Sequence, residues 1–473
     1  MNNGVVMQNY KVNVRTWVFT LLCGTVFLAS LILQDITFFL LAILFSVLIG
    51  YLFFQRDINL FEPFTLFTLY YFTVPLAGLH LHVSNFRDTV FVQQVGFSND
   101  PKYLLNLALI YLVIGYIFTL IGYKTFAKRG RPQVILNDDV SHRFIWLIII
   151  GFSVLGTVNF IFNIYTYAGG NIFVYFSNLS VRYLEFQEIE GTTLGYLFAY
   201  SAAYLWFYIV LKNKRFSMPF VLFLFLTILM KASSGRVFQT LVYTASFFVI
   251  YYLTNIDYSR RNLTYLLIGG LTGLAGISLY FFRITSSMMY SNMAPMGWSE
   301  TFLSFIDWEV ILNSAVDKGN IPNIAVFMKI IDSWQSDIGF LYGESLFSWA
   351  FQVIPSSIRP IGYQPSVMIK EMWYSHIRGG ALPPTGIGEM YANFGIFGPF
   401  LGMFFFGAFC AFIYNMLFKF NNYWYLTIYT QISLGFIMIY PKGEFDNFPF
   451  VMVLILLLVF MLIKFSRVIS RKI

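Results

Sequence analysis

Twelve apolar stretches run along the chain, and short polar connections separate most of them. Each stretch is close to the length that an α-helix needs to cross about 30 Å of hydrocarbon. The pattern therefore predicts an all-α, polytopic membrane protein with about twelve transmembrane helices. The predicted spans lie near residues 16–33, 36–54, 60–79, 103–123, 144–164, 193–211, 217–231, 237–253, 264–282, 394–418, 423–440 and 448–466.

One long segment, residues 283–382, contains no convincing span. Amphipathic helical patterns occur near residues 302–316 and 324–334, and a proline-punctuated segment follows at residues 354–360. The apolar content is too high for a disordered linker, so we predict a folded loop. The predicted organisation is helices 1–9 in residues 1–282, a large loop in residues 283–393 and helices 10–12 in residues 394–473.

The charged residues predict which side of the membrane each connection faces. If the N-terminus lies inside, 18 of the 30 Lys and Arg residues fall on the inner side, whereas 17 of the 22 acidic residues fall outside. Because the inner loops of membrane proteins are enriched in Lys and Arg, the basic count supports this orientation and the acidic count agrees with it. We therefore predict a multi-pass protein of the inner (plasma) membrane with both termini cytoplasmic and the large loop outside.

Composition narrows the class of protein further. Hydrophobic residues make up 58% of the chain and charged residues only 11%, which excludes a water-soluble globular protein. The net charge of +8 is spread between the spans without a basic patch, so nucleic acid is not an expected partner. Cys23 and Cys410 both lie in apolar runs, which argues against disulfides and cysteine-bound metal.

The sequence also lacks the motifs of several enzyme classes. It contains no Walker A motif, no HExxH and no GxSxG, and no predicted cytosolic domain is large enough to bind a nucleotide sugar. We therefore expect neither a metal nor another cofactor. An enzyme acting at the outer face would then use a donor that is already activated in the membrane.

Lys231 and Arg236 lie in a turn between two predicted spans. The apolar run before this turn, residues 218–230, covers only about 20 Å as a helix, so both cations are expected below the outer surface. One interpretation is that they extend to lipid phosphates. The other is a recessed anion site, because charge inside a membrane is costly, and Gly235 would permit close approach of a ligand to the backbone.

Arg283 ends the ninth predicted span at the same outer level. By itself, Arg283 could equally be a structural cation at the membrane boundary or a ligand-binding cation. Together with other cations it predicts an outer vestibule that binds a pyrophosphate leaving group through forked, charge-assisted hydrogen bonds without a metal. The cations that can converge there are Lys231, Arg236, Arg283, Arg359, Arg378 and Lys442.

His376 lies in the large outer loop between Tyr374 and Arg378. A lone histidine is more often structural than catalytic. However, two glycines follow Arg378 and permit a turn that points His376 and Arg378 at a lipid-anchored substrate. Glu389, Tyr391 and Asn393 then enter the next span, where a carboxylate needs either a bonding partner or a functional role.

The last outer connection, residues 441–448, concentrates charge in a short turn. Lys442, Glu444 and Asp446 lie there within five positions of one another. One interpretation is an ion-paired turn. The other makes Glu444 or Asp446 an orienter of the catalytic base or a sugar-binding carboxylate.

Aromatic residues of the outer loop are candidates for stacking on sugar faces. In a chain with 21% aromatic residues, however, most such side chains belong to the core or to the membrane interface. The candidates are Trp298, Trp308, Trp334, Trp373 and Tyr374.

Four segments, taken in order, resemble the Wzy-type oligosaccharide repeat-unit polymerases, the family that contains the O-antigen and enterobacterial common antigen polymerases. The layout is similar along the whole chain: many spans, one large outer loop late in the chain and cationic turns at the outer boundary. The segments are KASSGR at 231–236, IPSSIRPIGYQPS at 354–366, SHIRGG with LPPTGIGEMYANFG at 375–395 and EFDNF at 444–448.

The resemblance implies a GT-C-like glycosyltransferase of the bacterial inner membrane. It would transfer the growing glycan from undecaprenyl pyrophosphate to the non-reducing end of an incoming lipid-linked repeat unit, building lipopolysaccharide O-antigen or capsule on the outer leaflet. Arg236 and Arg283 look like the family's pyrophosphate-binding cations, and His376 looks like its loop histidine, a general base or a pyrophosphate donor, with Arg378 beside it. The implied partners are undecaprenyl-pyrophosphate-linked oligosaccharide, membrane lipids and a chain-length regulator.

Two alternatives stay open beside this hypothesis. A ligase would transfer a finished glycan to a lipid core or a protein, and a transporter or flippase for lipid-linked oligosaccharide would also use cationic cavities. Because the candidate residues lie at one face and not near the membrane midplane, the enzyme is favoured. The residues expected to bind substrate are Lys231, Arg359, Tyr374, Glu389, Tyr391, Lys442, Glu444 and Asp446.

Overall fold

The computed structural model is helical throughout the part of the chain that it describes, without β-strands. This confirms the predicted all-α class within those residues. The described residues are 24, 35–54, 59–84, 86, 96–130, 132, 134, 136, 142–172, 175, 194–214, 217–233, 237–254, 323–353, 365–373, 375, 382–443, 445 and 449–470.

Fourteen α-helices lie in these ranges. Short 3-10 and π-helical turns connect several of them, and the ones used below are introduced where they matter. In chain order the α-helices are α1 (Ile36–Phe54), α2 (Pro63–Tyr71), α3 (Thr73–Val83), α4 (Pro101–Phe126), α5 (His142–Ala168), α6 (Leu194–Asn213), α7 (Met218–Ala232), α8 (Val237–Thr254), α9 (Ile324–Asp337), α10 (Pro365–Trp373), α11 (Gly386–Phe394), α12 (Met403–Lys419), α13 (Tyr423–Ile432) and α14 (Phe450–Ser470).

Five helical stretches in the described residues are long and apolar enough to cross a membrane. Their length and composition are those of a membrane protein, whereas the count of twelve spans and the orientation of the termini stay predictions. The predicted spans at 16–33 and 264–282 fall outside the described residues, apart from Gly24. The five stretches are Ile36–Phe54, Pro63–Val83, Pro101–Phe126, Arg143–Ala168 and Gly386–Lys419.

The stretch Gly386–Lys419 is a broken helix that begins eight residues before the span predicted at residue 394. After α11, a 3-10 turn at Gly395–Phe397 and a π turn at Gly398–Gly402 interrupt the regular helix before α12. Gly395 has a φ of +59°, a conformation that suits glycine, and Pro399 lacks the amide hydrogen that a regular helix would use. Glu389 therefore lies on α11, a helical segment that is separate from α12.

Close backbone contact joins α4 to α12. A Cβ atom on Gly122 would collide with the carbonyl of Phe404, and one on Gly407 would collide with the carbonyl of Thr119. Small residues allow helices in a membrane to approach in this way, because no side chain separates the backbones. The contact between α4 and α12 therefore fixes the part of the broken helix that follows the π turn.

Helix α9 confirms the helical pattern near residues 324–334, but its first half is not a surface helix. Residues 323–330 are all buried, and Ile324 lies against Gly78 of α3. The C-terminal half reaches a connection that precedes α4, where the Asp332 carboxylate accepts hydrogen bonds from Ser98 and Asn99. The predicted patterns at 302–316 and 354–360 lie outside the described residues.

Candidate functional site

The structure describes four of the predicted site residues, Lys231, Glu389, Tyr391 and Lys442. The other predicted site residues lie outside the described part of the chain, so their roles stay predictions. They are Arg236, Arg283, Arg359, Tyr374, His376, Arg378, Glu444 and Asp446.

Glu389 lies in the first turn of α11, whose start is fixed by Thr385. The Thr385 hydroxyl accepts a hydrogen bond from the backbone N–H of Gly388 at 3.0 Å, which makes Thr385 the N-cap of the helix. A carboxylate near a helix N-terminus is favoured by the aligned peptide dipoles. Glu389 is only 1% exposed, so its charge also needs hydrogen-bond donors.

Protein groups supply those donors. The Ser345 hydroxyl donates to the Glu389 carboxylate at 3.0 Å, and the backbone N–H of Phe445 donates to both carboxylate oxygens at 3.0 and 3.2 Å. The side-chain amide of Asn393 donates to Ser345 Oγ at 2.7 Å. We call this group of Ser345, Glu389, Asn393 and Phe445 the Glu389 junction.

The turn that contains Lys442 is docked on the start of α11. The backbone N–H of Thr385 donates to the carbonyl of Lys442 at 3.0 Å, and the Tyr440 hydroxyl donates to the carbonyl of Gly386 at 3.2 Å. Gly443 has a φ of +122°, and a Cβ atom there would lie 3.0 Å from the Thr385 backbone. The start of α11 and the turn at residues 440–443 therefore meet in space, although more than 50 positions separate them in the sequence.

The connection after α9 joins the same helix at its other end. The backbone N–H groups of Leu341 and Tyr342 donate to the carbonyls of Ala392 and Asn393 at 3.1 and 3.0 Å. The N–H of Gly343 donates to the Asn393 side chain at 2.9 Å. Three separate segments of the chain are thus held together around α11, and buried hydrogen bonds of this kind restrict the backbone strongly.

Tyr391 does not join the Glu389 junction. It lies two positions after Glu389, so its side chain leaves the helix on a nearly opposite face. Its ring contacts Tyr111 and Phe327, with centroids 5.5 and 6.2 Å away, and it is half-buried between α4 and α9. The structure therefore assigns Tyr391 packing contacts in a different direction from those of Glu389.

Lys231 lies in the last turn of α7, beside the ring of Tyr200. Its Nζ atom is 5.3 Å from that ring's centroid, a distance at which an ammonium group is attracted to the π face. Nearby, the Tyr196 hydroxyl accepts a hydrogen bond from Asn163 at 2.6 Å, and the Tyr243 hydroxyl donates to Thr227 at 3.0 Å. Buried tyrosines of α6 and α8 therefore surround the end of this short helix.

Two carboxylates of α9 remain charged through their hydrogen bonds. Burial alone would raise the pKa of Asp332, but donors from Ser98 and Asn99 and the nearby Lys329 hold that pKa below its ordinary value. Burial would likewise raise the pKa of Asp337, but hydrogen bonds from Ser336, Trp373 and Ser333 lower it. The Asp337 carboxylate is exposed at the end of α9, whereas the Asp332 side chain is buried beside Lys329.

Sequence reasoning missed Thr385 and Ser345, and it named Asn393 without assigning it a role. Thr385 carries a local signal, since a threonine just before GIGEM is a typical N-cap. Asn393 also carries one, because it follows Glu389 by four residues and shares its helix face. Ser345 carries none, since its hydrogen bond to Glu389 depends on how two distant segments pack.

No protein-family model, curated protein or solved structure matches the chain. Its function must therefore be argued from its own residues. Among the described residues, no group of three His, Cys, Asp or Glu side chains is arranged to hold a metal ion. Three features bear on function: the candidate spanning helices, the Glu389 junction, and the last turn of α7 with Lys231 beside Tyr200, which we call the Lys231 turn.

Proposed function

We propose that this chain is a Wzy-type oligosaccharide repeat-unit polymerase, a GT-C-like glycosyltransferase of the bacterial inner membrane. It moves a growing glycan from undecaprenyl pyrophosphate to the non-reducing end of an incoming lipid-linked repeat unit at the outer leaflet. No nucleotide and no metal takes part in this reaction. The membrane-spanning helices and the order of the four segments described above support the proposal.

The Glu389 junction is the observation that carries the proposal furthest. It binds together two of the segments on which the family resemblance rests, although 56 positions separate Glu389 from Phe445. In the sequence, Phe445 stands directly between Glu444 and Asp446. A buried carboxylate with several donors is a costly arrangement, so its use to fix this turn supports a functional role for the turn.

This geometry changes the role that we assign to Glu389. The sequence favoured a substrate-binding carboxylate, but a side chain that is 1% exposed and bonded to Ser345 and Phe445 is better suited to hold the turn in position. We therefore propose Glu389 as a positioning residue. Lys442, half-buried in the docked turn, keeps its proposed role as a substrate-binding cation.

The proposed reaction is a glycosyl transfer in which one bond forms, one bond breaks and one proton moves. The acceptor hydroxyl attacks the anomeric carbon of the donor glycan, the bond from that carbon to pyrophosphate breaks, and the hydroxyl proton passes to a base. His376 is the proposed base. Arg236, Arg283 and Arg378 are proposed to stabilise the departing pyrophosphate, since fixed cations act most strongly where negative charge develops.

Lys231 is proposed to act with these arginines at the donor. Its position at the end of the 15-residue helix α7 agrees with a cation recessed from the outer surface, because such a helix is only about 22 Å long. The Tyr200 ring holds its ammonium group in a partly buried setting. Electrostatic attraction to a pyrophosphate is stronger there than in bulk water.

The decisive experiment is a chain-length assay in liposomes with purified lipid-linked repeat unit and no added nucleotide or metal. The wild-type chain is expected to produce a ladder of glycan lengths, and Arg236→Ala and His376→Ala are expected to abolish it. Lys102→Ala is the matched control, since Lys102 is an exposed cation paired with Asp35 at 3.0 Å.

Other outcomes of the same assay identify the alternatives. Movement of the lipid-linked sugar across the bilayer without any ladder would overturn the polymerase in favour of a flippase. Transfer of preformed glycan to an added lipid-core acceptor, again without a ladder, would favour a ligase.

A further inference from the structure

The indole of Trp373 combines partial exposure with unusually tight restraint. Trp373 ends α10 and is half-buried, so part of its side chain stays accessible. By contrast Trp334, another aromatic residue of the predicted outer loop, is fully buried in the core. An aromatic ring that keeps part of its surface accessible can offer a face to a ligand, provided that the ring is held in place.

Three contacts from α9 fix the Trp373 ring. Its N–H donates to the Asp337 carboxylate at 3.0 Å, the Lys329 Nζ atom lies 5.6 Å from the ring centroid, and the Trp334 ring approaches at 6.0 Å in an edge-to-face arrangement. Lys329 is itself only 8% exposed and is paired with Asp332 at 3.6 Å. The ring is therefore held in one orientation before any ligand binds, which lowers the entropy cost of binding.

The C-terminal end of α9, which contacts this ring through Asp337, carries polar side chains. Gln335, Ser336 and Asp337 are exposed at the C-terminal end of α9, and the Asp337 carboxylate retains its charge because its hydrogen bonds hold its pKa below the ordinary value. A ring face attracts the polarised C–H groups of a sugar, and adjacent carboxylates and amides accept or donate hydrogen bonds to its hydroxyl groups. Since Lys329 is buried, this surface is less suited to an anionic ligand.

The position of Trp373 in the chain connects it to the proposed chemistry. His376 follows it by three residues, and three residues of extended chain reach about 10 Å at most. A ring at this distance from a catalytic base is within reach of sugars close to the reacting bond. Arg378 follows by only two further residues.

We propose that Trp373 is the stacking platform of a glycan-binding subsite, with Asp337 accepting hydrogen bonds from the hydroxyl groups of the stacked sugar. This inference deepens the proposed polymerase function and rests on it for the identity of the ligand. The subsite retains the growing glycan near His376 between successive additions. Its loss is expected to shorten the product without preventing the first transfer.

The test measures binding without requiring catalysis. The full-length protein in nanodiscs is titrated with soluble fragments of the surface polysaccharide of the bacterium that carries this chain, released by mild acid, and binding is followed by calorimetry. Trp373→Leu and Asp337→Ala are each expected to weaken binding about tenfold, whereas Trp373→Tyr, which keeps an aromatic face, is expected to lose about threefold or less. Met372→Ala, at an exposed neighbouring position, is the control.

The chain-length assay separates failure of the subsite from failure of the polymerase. Unchanged fragment binding by both Trp373→Leu and Asp337→Ala would overturn the subsite even if the wild-type ladder forms. Binding that depends on Trp373, in a protein that makes no ladder, would overturn the polymerase but keep a glycan subsite. If Trp373→Leu does not fold, Asp337→Ala decides the question, because Asp337 is exposed and not part of the core.

Discussion

The Glu389 junction and the Lys231 turn hold charged side chains by different means. Directional hydrogen bonds from a hydroxyl and a backbone N–H fix the carboxylate, and these bonds come from distant parts of the chain. The ammonium group of Lys231 lies over an aromatic ring of the neighbouring helix. A hydrogen-bond network specifies one geometry, whereas a ring face tolerates movement of the cation across it.

This difference suggests a division of labour. The junction is suited to hold a loop in place, and the lysine is suited to follow a flexible, charged ligand. Substitutions at the junction should therefore affect stability and activity together, whereas substitutions at Lys231 should affect substrate affinity with little change in stability. The following predictions test this contrast, beginning with the largest expected effect.

Glu389→Ala should abolish glycan polymerisation and lower the free energy of unfolding by about 3 kcal/mol, because the Ser345 and Phe445 donors are left buried without their acceptor. Glu389→Gln should lose less, since its carbonyl oxygen still accepts. Unfolding in mixed micelles measures the stability, and Tyr391→Phe is the control on the same helix. Normal stability of Glu389→Ala would contradict the positioning role.

Gly443→Ala should reduce stability by about 1–3 kcal/mol, because its φ of +122° is strained for any residue with a Cβ atom. The new methyl group would also press on the Thr385 backbone, so the turn should separate from α11 and glycan synthesis should fall. Gly435→Ala is the matched control, since a Cβ there meets only ordinary contacts at 3.9 Å or more. Equal behaviour of the two variants would refute the docking of the turn.

Lys231→Gln should raise the KM for the lipid-linked unit about tenfold while the free energy of unfolding changes by less than about 1 kcal/mol. Lys212→Gln is the matched control, because Lys212 lies 6.0 Å from the centroid of the Tyr208 ring, at the opposite end of α6 from Tyr200. Kinetics at several substrate concentrations separate KM from kcat. An equal rise in KM for Lys231→Gln and Lys212→Gln would contradict the proposed role of Lys231 in substrate binding.

Asp332→Asn should have the smallest effect, about 1 kcal/mol or less at neutral pH. The folded pKa of Asp332 lies below its ordinary value of 3.8, so its contribution is present above that value and is lost as the pH falls below it. Thermal unfolding from pH 6 to pH 3 should show a weaker acid destabilisation in the variant than in the wild type. Glu371→Gln, at an exposed position of α10, is the control, and identical pH profiles for wild type and Asp332→Asn would contradict the prediction.

Hydropathy predicted the spanning helices well where the pattern is uniform. The spans predicted at 36–54 and 103–123 correspond to Ile36–Phe54 and Pro101–Phe126, both long and apolar enough to cross a membrane. The method was less accurate at the tenth span, which begins at Gly386 and not at residue 394. The GIGEMYANF segment contains glycines and a carboxylate that lower its hydropathy, and it becomes a buried helix only because Ser345 and Phe445 satisfy Glu389.

The sequence by itself determined the membrane-spanning, helical class of this protein, because an apolar segment in a bilayer must satisfy its backbone hydrogen bonds internally, and a helix does so with local contacts. It also singled out Glu389 and Lys442 as unusual charges. Only the tertiary structure decided that the Lys442 turn docks on α11, that Glu389 faces Ser345 and that Tyr391 faces away. Those partners lie tens of residues apart, and their meeting depends on how the helices pack and not on any local pattern.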